Sequence, residues 1–543
     1  MTTDQNTFSI QLQSLLVTNV DISDALKNQI IRKRDEAASK ATFLQAELAQ
    51  LFREINACNG LLAPIRRLPT DILLEVFNHH LGPELSSERM KNLLSLCQVT
   101  SRWRTLILRT PLMWNSLCIS VECGHINSNP PKETPRNQVL RDMLATWLQR
   151  ASRSGISLAI EIQHNFEGVN NGHNDSTNGL FLNTLILPHF HRIKCLHITA
   201  CTIPTLFFGN LFPVPKELTT LVLRDSYYGT MMIDYEDLHR ASPPLTILPS
   251  RLHCISLGGK IIHHPSIMTL LSWNQLTRLT LVEIPNALCL NIIRRCPNLV
   301  QGNFEFLEQG TTSSVELPGN TPTISLMFLE NLSLYFSRGP LDLSVLNYLI
   351  VPKLHSLRLG STSDDYDDTW DESEQFWEVI KNIESLALLG GIMGEELLDT
   401  FLEHTPGVLH LELDVAVNPG RVFDMLCPNS NASTLLPLLQ HICIASRSRT
   451  AEGVYYLHPK DAPLPFRLSK LTSFLQERGF DEAAKGFHTV RHLVIGDKHV
   501  KSKDNWSNSQ LAKGVRKLVS KGWPIAISMR PRISKREEAD WKC

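Results

Sequence analysis

The chain has 543 residues, of which 43% are apolar and 20% charged, and its formal net charge is -1. A chain of this length exceeds what one hydrophobic core usually organises, so we expect at least two structural units. A near-neutral charge excludes a global electrostatic field that would hold the protein on nucleic acid or on an acidic membrane.

The amino-terminal sequence and the cysteines bear on the compartment. Residues 1–10, MTTDQNTFSI, lack the basic segment and apolar run of a signal peptide, and no window has 18 uninterrupted apolar residues. The twelve cysteines are scattered singly, many of them inside apolar stretches, which argues against a disulfide framework. We therefore expect a soluble protein of the cytoplasm, the nucleus or both.

A long helix is predicted at residues 22–58, after a disordered amino terminus at 1–21. The segment contains no Gly or Pro, and apolar residues recur in it at intervals of seven in two interleaved series. The series are Ile30, Ala37, Leu44, Leu51 and Ala41, Leu48, Ile55. Lys33 and Arg34 weaken the first half of the pattern. The pattern predicts either a coiled coil that permits self-association or one amphipathic helix folded onto the next domain, and Asn59-Gly60 should end it.

Residues 61–117 are predicted to form a small helical module. The helix after Pro69 has an apolar stripe of Ile72, Leu73, Val76 and Phe77, and Asp71 lies in its first turn, where a carboxylate favours the helix dipole. A second helical run should place inward Leu93, Leu96, Cys97, Trp103 and Leu106. A module of about fifty residues is too small to be stable alone, so it needs its neighbours or a partner.

A polar stretch at 121–140, rich in Pro and Asn, is predicted to be a linker, and a repeat follows it. The repeated form is L-x-x-L-x-L, where L is any aliphatic residue, at intervals of mostly about 23 to 34 residues. Good copies begin at Ile193, Leu218, Leu252, Leu276, Leu329, Leu354, Ile383, Val408, Leu439 and Val490, and a degraded copy begins at Leu299.

The spacing within each copy is typical of a short strand. Its last two apolar residues alternate across a polar one and so share a face, while the first turns inward just before the strand. Each copy exposes that face unless a neighbour stacks on it. Runs such as EELLDTFLEH, between the strands, have helical periodicity. We therefore predict a curved solenoid of parallel strands backed by helices at 141–530, with a charged tail at 531–543.

The helical module resembles the F-box, which docks onto the Skp adaptor of a ubiquitin ligase. The resemblance lies in IRRLPTDILLEVFNHHL followed by LLSLCQVTSRWRTLILRTPLMWNSL, and the matching residues are Leu68-Pro69, Asp71, Ile72 to Leu74, Val76-Phe77, Cys97, Val99, Ser101, Arg102 and Trp103. A leading helix, an F-box followed by TPLMW and a long Leu-rich tail are together similar to a large fungal group of F-box proteins. The implied fold is α/β: a helical F-box module followed by a leucine-rich-repeat solenoid.

The resemblance implies that the adaptor binds Leu68, Pro69, Leu73, Val76, Phe77 and Val99, whereas Trp103 packs inside the module. The alternative is that all these residues form the chain's own core. The implied function is substrate recognition in a Skp-cullin-F-box ubiquitin ligase, with adaptor and cullin as partners and with proximity, not catalysis, as the chain's contribution. The alternative function is a repeat scaffold or signalling protein that does not promote degradation.

Candidate substrate-binding residues lie between the apolar anchors of the repeats. They are Arg224, Arg278, His355, Arg358 and Glu412, which should face outward from their strands. Cys195 and His197 share a strand face near Cys201, but a zinc site usually needs a fourth ligand. The glycine-rich LLGGIMGEE lacks the lysine of a phosphate loop. We expect no catalytic residue, no metal and no cofactor.

Two charged runs remain open in function. Residues 363–374 carry seven carboxylates and could meet a basic substrate or be a solvated loop. Residues 498–543 carry twelve Lys or Arg against four Asp or Glu and could contact nucleic acid or cap the solenoid.

Overall fold

The computed structural model describes residues 23–82, 85–123, 135–152, 154–164, 187–199, 216–224, 251–263, 267–306, 323–336, 343–361, 374–389, 395–414, 422, 425–426, 435–446 and 492–497. The predictions for residues 1–21, for 363–373 of the acidic run and for the basic segment 498–543 with its tail lie outside these residues. The chain divides into two compact units, Met1–Gly82 and Pro83–Cys543.

Unit 1 contains two helices joined by a tight turn. Helix α1 is Asp24–Leu62, a 3₁₀ turn covers Pro64–Arg67, and α2 is Thr70–Leu81. The prediction that Asn59-Gly60 ends α1 is wrong, because the helix continues to Leu62. Pro64 is the physical stop, since a proline disfavours the helical conformation at the residue before it, and Ala63 has an extended ψ of 126°.

Unit 2 begins with two helices and continues with strands. Helices α3 and α4 are Ser87–Val99 and Ser101–Arg109, and a 3₁₀ turn covers Pro111–Trp114. The strands are β1 (Ser116–Cys123), β2 (Ile156–His164), β3 (Ile193–Thr199), β4 (Thr220–Arg224), β5 (Cys254–Gly258), β6 (Arg278–Ile284), β7 (Gln301–Phe306), β8 (Ile324–Ser325), β9 (Asn331–Phe336), β10 (Leu349–Ile350), β11 (Ser356–Ser361), β12 (Ser385–Leu389), β13 (His410–Asp414), β14 (His441–Ser446) and β15 (His492–Asp497).

In the described part of the chain, thirteen of these strands form one sheet. They follow one another in chain order, from β1 to β15, and only β8 and β10 pair separately. Every adjacent pair is parallel, including β3 with β4, β6 with β7 and β11 with β12. Parallel neighbours require a crossover between them, and helices supply several of these connections: α5 (Pro135–Arg150), α6 (Ile267–Leu270), α7 (Asn286–Ile293), α8 (Glu374–Ile380) and α9 (Glu395–His404). The predicted α/β arrangement of parallel strands and helices is confirmed.

The apolar pattern of the repeats accounts for the core. All eleven copies, including the degraded copy at Leu299, run into a strand, and their apolar positions are aligned across the sheet. In β11, Leu357 and Leu359 are fully buried, as is Leu354 just before the strand. Beneath neighbouring strands, Phe376 of α8 packs edge-on against Phe401 of α9 with ring centroids 5.7 Å apart.

The predicted linker at 121–140 is wrong at both ends. Strand β1 occupies the residues up to Cys123, and α5 begins at Pro135. The sequence pattern missed β1 and β2 because Trp114 and Gly155 stand where other copies have an aliphatic residue. In the described residues, the sheet therefore starts at Ser116, well before the predicted start of the solenoid at residue 141. Among the described helices, none is long and apolar enough to cross a membrane.

Candidate functional site

Helix α2 of unit 1 has one buried and one exposed apolar face. The backbone N–H of Leu73 donates to the carbonyl of Pro69 at 3.0 Å, which closes the first turn. Leu73, Phe77 and Leu81, spaced by four, are buried, whereas Ile72 and Val76 remain 46% and 41% exposed. Part of the predicted apolar stripe is therefore core and part is exposed surface, because adjacent residues lie on opposite faces of the helix.

The six predicted adaptor-binding residues divide in the same way. The structure leaves Pro69, Val76 and Val99 exposed and Leu68 half-buried. It buries Leu73 and Phe77 inside the folded chain, so these two side chains are not on the surface of α2. Ile72, which the prediction did not assign to the adaptor, is exposed in their place.

Helices α3 and α4 are separated by a capped break at Thr100. Thr100 has an extended backbone, with φ -147° and ψ 159°, and its hydroxyl accepts a hydrogen bond from the N–H of Trp103 at 3.1 Å. The predicted single helical run is therefore two helices. This arrangement is a standard N-cap, in which a threonine oxygen satisfies a free N–H of the first turn. The Nε of Arg104 also donates back across the break to the carbonyl of Cys97, at 2.9 Å.

Trp114 ties the end of these helices to the sheet of unit 2. Its indole Nε1 donates to the carbonyl of Ile107 at 2.9 Å, and its ring meets Trp147 of α5 edge-on, with centroids 4.7 Å apart. The guanidinium of Arg150 lies 4.5 Å from the centroid of the Trp114 ring. Trp114 is itself fully buried. The segment that follows α4 is therefore held against α5, the helix that connects β1 to β2.

Unit 2 also exposes apolar side chains on and just after α3 and α4. These are Leu94, Val99, Leu108 and Leu112, of which Val99 is 56% and Leu112 64% exposed. Sequence reasoning missed Leu94, Leu108 and Leu112, because their neighbours Leu93, Ile107 and Met113 are equally apolar and take the buried positions. The inward residues are Leu93 and Leu96, whereas Cys97, Trp103 and Leu106 are half-buried.

The five predicted substrate-binding residues lie on or beside the strands, and two of them contact each other. Arg358 of β11 and Glu412 of β13 form an ion pair, Nη2 to Oε2, at 3.0 Å. The pair bridges Ala387 of β12, which lies between them in the register. His355 and Arg278 are exposed. The outward positions of the strands are thus partly organised by contacts among themselves.

Arg224, the fifth residue, lies near His197 of β3. Burial, with a smaller contribution from the positive charge of Arg224, lowers the pKa of His197 to about 4, so this imidazole is neutral at physiological pH. Nε2 of His197 is buried without a hydrogen-bond partner. Cys195 lies on the same strand, and Cys201 lies outside the described residues. Across the part of the chain that the structure describes, no group of three or more metal-ligating side chains is placed to hold an ion.

Eight cysteines whose side chains the structure describes are free thiols, among them Cys289 and Cys296. Cys289 and Cys296 lie in the core, where burial raises the pKa of Cys296 to about 12 and that of Cys289 well above its usual range. A thiol held protonated in this way is a poor nucleophile. These two cysteines act as small apolar residues of the core.

Comparison with known proteins identifies one family within the chain. The F-box-like family model matches residues 65–120. These 56 of the 543 residues extend from the turn before α2 into β1. No curated protein matches the chain. The chain thus carries an F-box-like domain, which includes every exposed apolar residue of α2, α3 and α4 described above.

Proposed function

We propose that the protein is the substrate-recognition subunit of a Skp-cullin-F-box ubiquitin ligase. The observation that carries this proposal is the F-box-like domain at 65–120, whose helices hold several large apolar side chains in solvent. The domain would bind the Skp adaptor and, through it, a cullin. The strands that follow would bind a protein substrate.

Each unit carries exposed residues of the domain with the chemistry of a helical docking surface. Unit 1 exposes the aliphatic residues Ile72 and Val76 on α2, and unit 2 exposes Leu94, Val99, Leu108 and Leu112. Exposed apolar side chains on helices are the usual anchors of helix-mediated interfaces. We assign adaptor contact to Val76, Val99 and Pro69 from the predicted set, and add Ile72 and Leu112.

We further propose that the sheet of unit 2 is a leucine-rich-repeat solenoid of the kind found in a fungal group of F-box proteins. Eleven sequence copies, strands in strict chain order and a shared parallel register support this assignment. In such a stack each strand exposes its alternate residues on one face. Arg224, Arg278, His355, Arg358 and Glu412 would contribute to the substrate-binding surface there.

The proposed role is non-catalytic. An adaptor subunit accelerates ubiquitin transfer by raising the effective concentration of substrate beside an activated donor, which requires two binding surfaces and no reactive group of its own. The ubiquitin-carrying partners would supply the chemistry.

Adaptor binding is testable with aspartate substitutions in the domain. Val76→Asp and Val99→Asp should each reduce recovery of a co-expressed Skp adaptor at least roughly tenfold, because a carboxylate would be buried without a partner in the interface. Val139→Asp is the matched control, since Val139 is 68% exposed and lies on α5 outside the F-box-like domain. Undiminished adaptor recovery with both domain variants would refute this docking surface.

Degradation is tested separately from docking. Proteins that associate with the full-length chain in cells should have longer half-lives when cullin activity is inhibited. Their half-lives should increase by the same factor when the Val76→Asp variant replaces the wild type. If the adaptor binds while all associated proteins keep their lifetimes, the chain is a scaffold that does not promote degradation.

A further inference from the structure

Helix α1 is uncovered along almost its entire length. Every residue from Ile31 to Gly60 is exposed, and Leu44, Leu48, Leu51 and Ile55 are each at least half exposed. Exposed apolar patches of this extent usually mark a contact surface, and isolated helices gain most of their stability from packing of such a face. Among the residues that the structure describes, none covers this stripe, which leaves its apolar side chains available to a second chain.

The two apolar series of α1 form one coiled-coil seam. Ile30, Ala37, Leu44 and Leu51 occupy the d positions of the heptad, and Arg34, Ala41, Leu48 and Ile55 occupy the a positions. The residues that flank the seam on one side, at the g positions, are Lys33, Lys40, Glu47 and Glu54. Charge is therefore segregated along this flank, basic in its first half and acidic in its second.

A parallel pair of α1 helices conflicts with this sequence. Identical a positions face each other in a parallel dimer, which would place Arg34 against Arg34 of the second copy inside the seam. The g positions would face e positions, which are Ala38, Gln45 and Phe52, so no ion pair would form.

In an antiparallel pair of α1 helices, the same seam and g residues meet favourable partners. When the two helices run in opposite directions, a positions face d positions and g positions face each other. Lys33 then meets Glu54 of the second copy, and Lys40 meets Glu47 of the second copy. Both pairs arise from a single alignment, because Lys33 and Lys40 are seven residues apart, as are Glu47 and Glu54.

The apolar layers agree with that alignment. The a–d layers that accompany these pairs join Ile30 to Ile55, Ala37 to Leu48 and Ala41 to Leu44, so the last two layers each place an alanine opposite a leucine. Arg34 falls opposite Leu51, where the aliphatic stem of an arginine can cover a leucine. The Nε and Nη2 of Arg34 already donate to the carboxylate of Asp35, at 2.8 and 2.7 Å, which partly neutralises the charge.

We propose that the protein self-associates through an antiparallel two-stranded coiled coil of α1, with a two-fold axis between Thr42 and Phe43, midway between Ala41 and Leu44. The segment from Ile30 to Ile55 spans about 39 Å at 1.5 Å per residue, enough for eight a–d layers between the two copies. This interaction is independent of the proposed adaptor and substrate surfaces. It would give each assembly two F-box-like domains and two strand faces.

Charge reversal tests the alignment in the full-length chain. Lys40→Glu should weaken dimerisation roughly tenfold, because the two-fold axis turns two attractive pairs into two repulsive ones. The double variant Lys40→Glu, Glu47→Lys should restore the wild-type dimerisation constant, since it recreates both pairs in the reversed sense. Arg53→Glu is the matched control: Arg53 is exposed on the opposite side of the helix and should have no effect. Sedimentation equilibrium measures each constant.

Cysteine cross-linking tests the orientation. In a Cys58→Ser background, chains carrying Ala37→Cys and differently tagged chains carrying Leu48→Cys are mixed and oxidised. The antiparallel layer predicts disulfides between the two kinds of chain, whereas a parallel dimer would give disulfides within each kind. Circular dichroism confirms that every variant remains folded.

A wild-type chain that stays monomeric would overturn the proposal, and the stripe would then belong to a different partner. The proposal would also be overturned if the charge reversals left the dimerisation constant unchanged, or if disulfides formed only between identical positions. Adaptor recovery measured on the same variants separates this result from the proposed function, because loss of dimerisation should leave adaptor binding unchanged.

Discussion

At the scale of single residues, side chains at equivalent outward positions of the strands differ in solvent exposure and in their polar partners. Arg358 and Glu412 pair across an intervening alanine and remain partly solvated, so their ion pair contributes little to stability. His197 occupies the equivalent outward position on β3 but is largely buried, and its imidazole lacks a partner at Nε2. Because burial penalises the charged imidazole, the folded state favours the neutral form of His197.

His197 should make stability depend on pH. Its pKa is about 4 in the folded chain against an ordinary value of 6.5, so below pH 6.5 the unfolded chain binds a proton that the folded chain does not. The free energy of unfolding should fall by about 1.4 kcal/mol per pH unit between these values and be fully retained above pH 6.5.

Urea denaturation between pH 4 and 7.5 tests this dependence. His197→Gln should flatten the decline by up to roughly 3 kcal/mol over the whole window. An equal slope for wild type and His197→Gln would contradict the assignment.

At the scale of elements, short helices in this chain are delimited by caps and prolines. Ser86 caps α3 by accepting from the N–H of Arg89 at 3.1 Å, and Thr100 caps α4 in the same way. Pro64 sets the end of α1, and Pro111 begins the 3₁₀ turn that leads to Trp114. These local signals fix where α3 and α4 begin, but they do not decide which apolar face a helix buries.

The cap at Thr100 should be measurable as stability. Thr100→Ala should lower the free energy of unfolding by about 1 kcal/mol, because the N–H of Trp103 loses its acceptor, whereas Thr100→Ser should retain most of it. Thr105→Ala is the control: Thr105 is exposed within α4, where alanine is the better helix former, so it should not destabilise. Equal losses for Thr100→Ala and Thr105→Ala in chemical denaturation would show that the cap is not the cause.

At the scale of the whole molecule, the strands of the sheet in unit 2 lie side by side in the order in which they occur along the chain. Each of the thirteen strands of this sheet pairs only with its neighbours in the order β1 to β15, so pairing between distant strands is replaced by pairing between consecutive ones. Stability in such an arrangement is a sum over neighbouring segments. Local damage should consequently remain local.

A core substitution in β12 tests this locality. Leu386 is fully buried, and Leu386→Ala should cost about 2 to 5 kcal/mol through the cavity it leaves. Hydrogen exchange should accelerate in β11, β12 and β13 and change little in β1 to β3. Ser385→Ala, at the adjacent outward position, is the control. Uniform acceleration across the sheet would instead indicate one cooperative unit.

Much of the architecture was accessible from the sequence, for identifiable reasons. The repeat copies predicted their strands because alternating leucines leave a strand only one way to bury them, as Leu357 and Leu359 show. The F-box resemblance was recognisable because its two halves occur in order, and the family match at 65–120 agrees with it. The repeat pattern did not predict strands β1 and β2, because their copies lack the first aliphatic residue.

The sequence by itself determined the parallel strand order, the helical start of the chain and the position of the F-box-like domain, since each depends on local periodicity and on short signals. Only the tertiary structure decided which face of α2 is buried, because Ile72 and Leu73 are equally apolar and nothing local distinguishes them. It alone also paired Arg358 with Glu412, 54 positions apart, since strand stacking and not sequence proximity sets that distance.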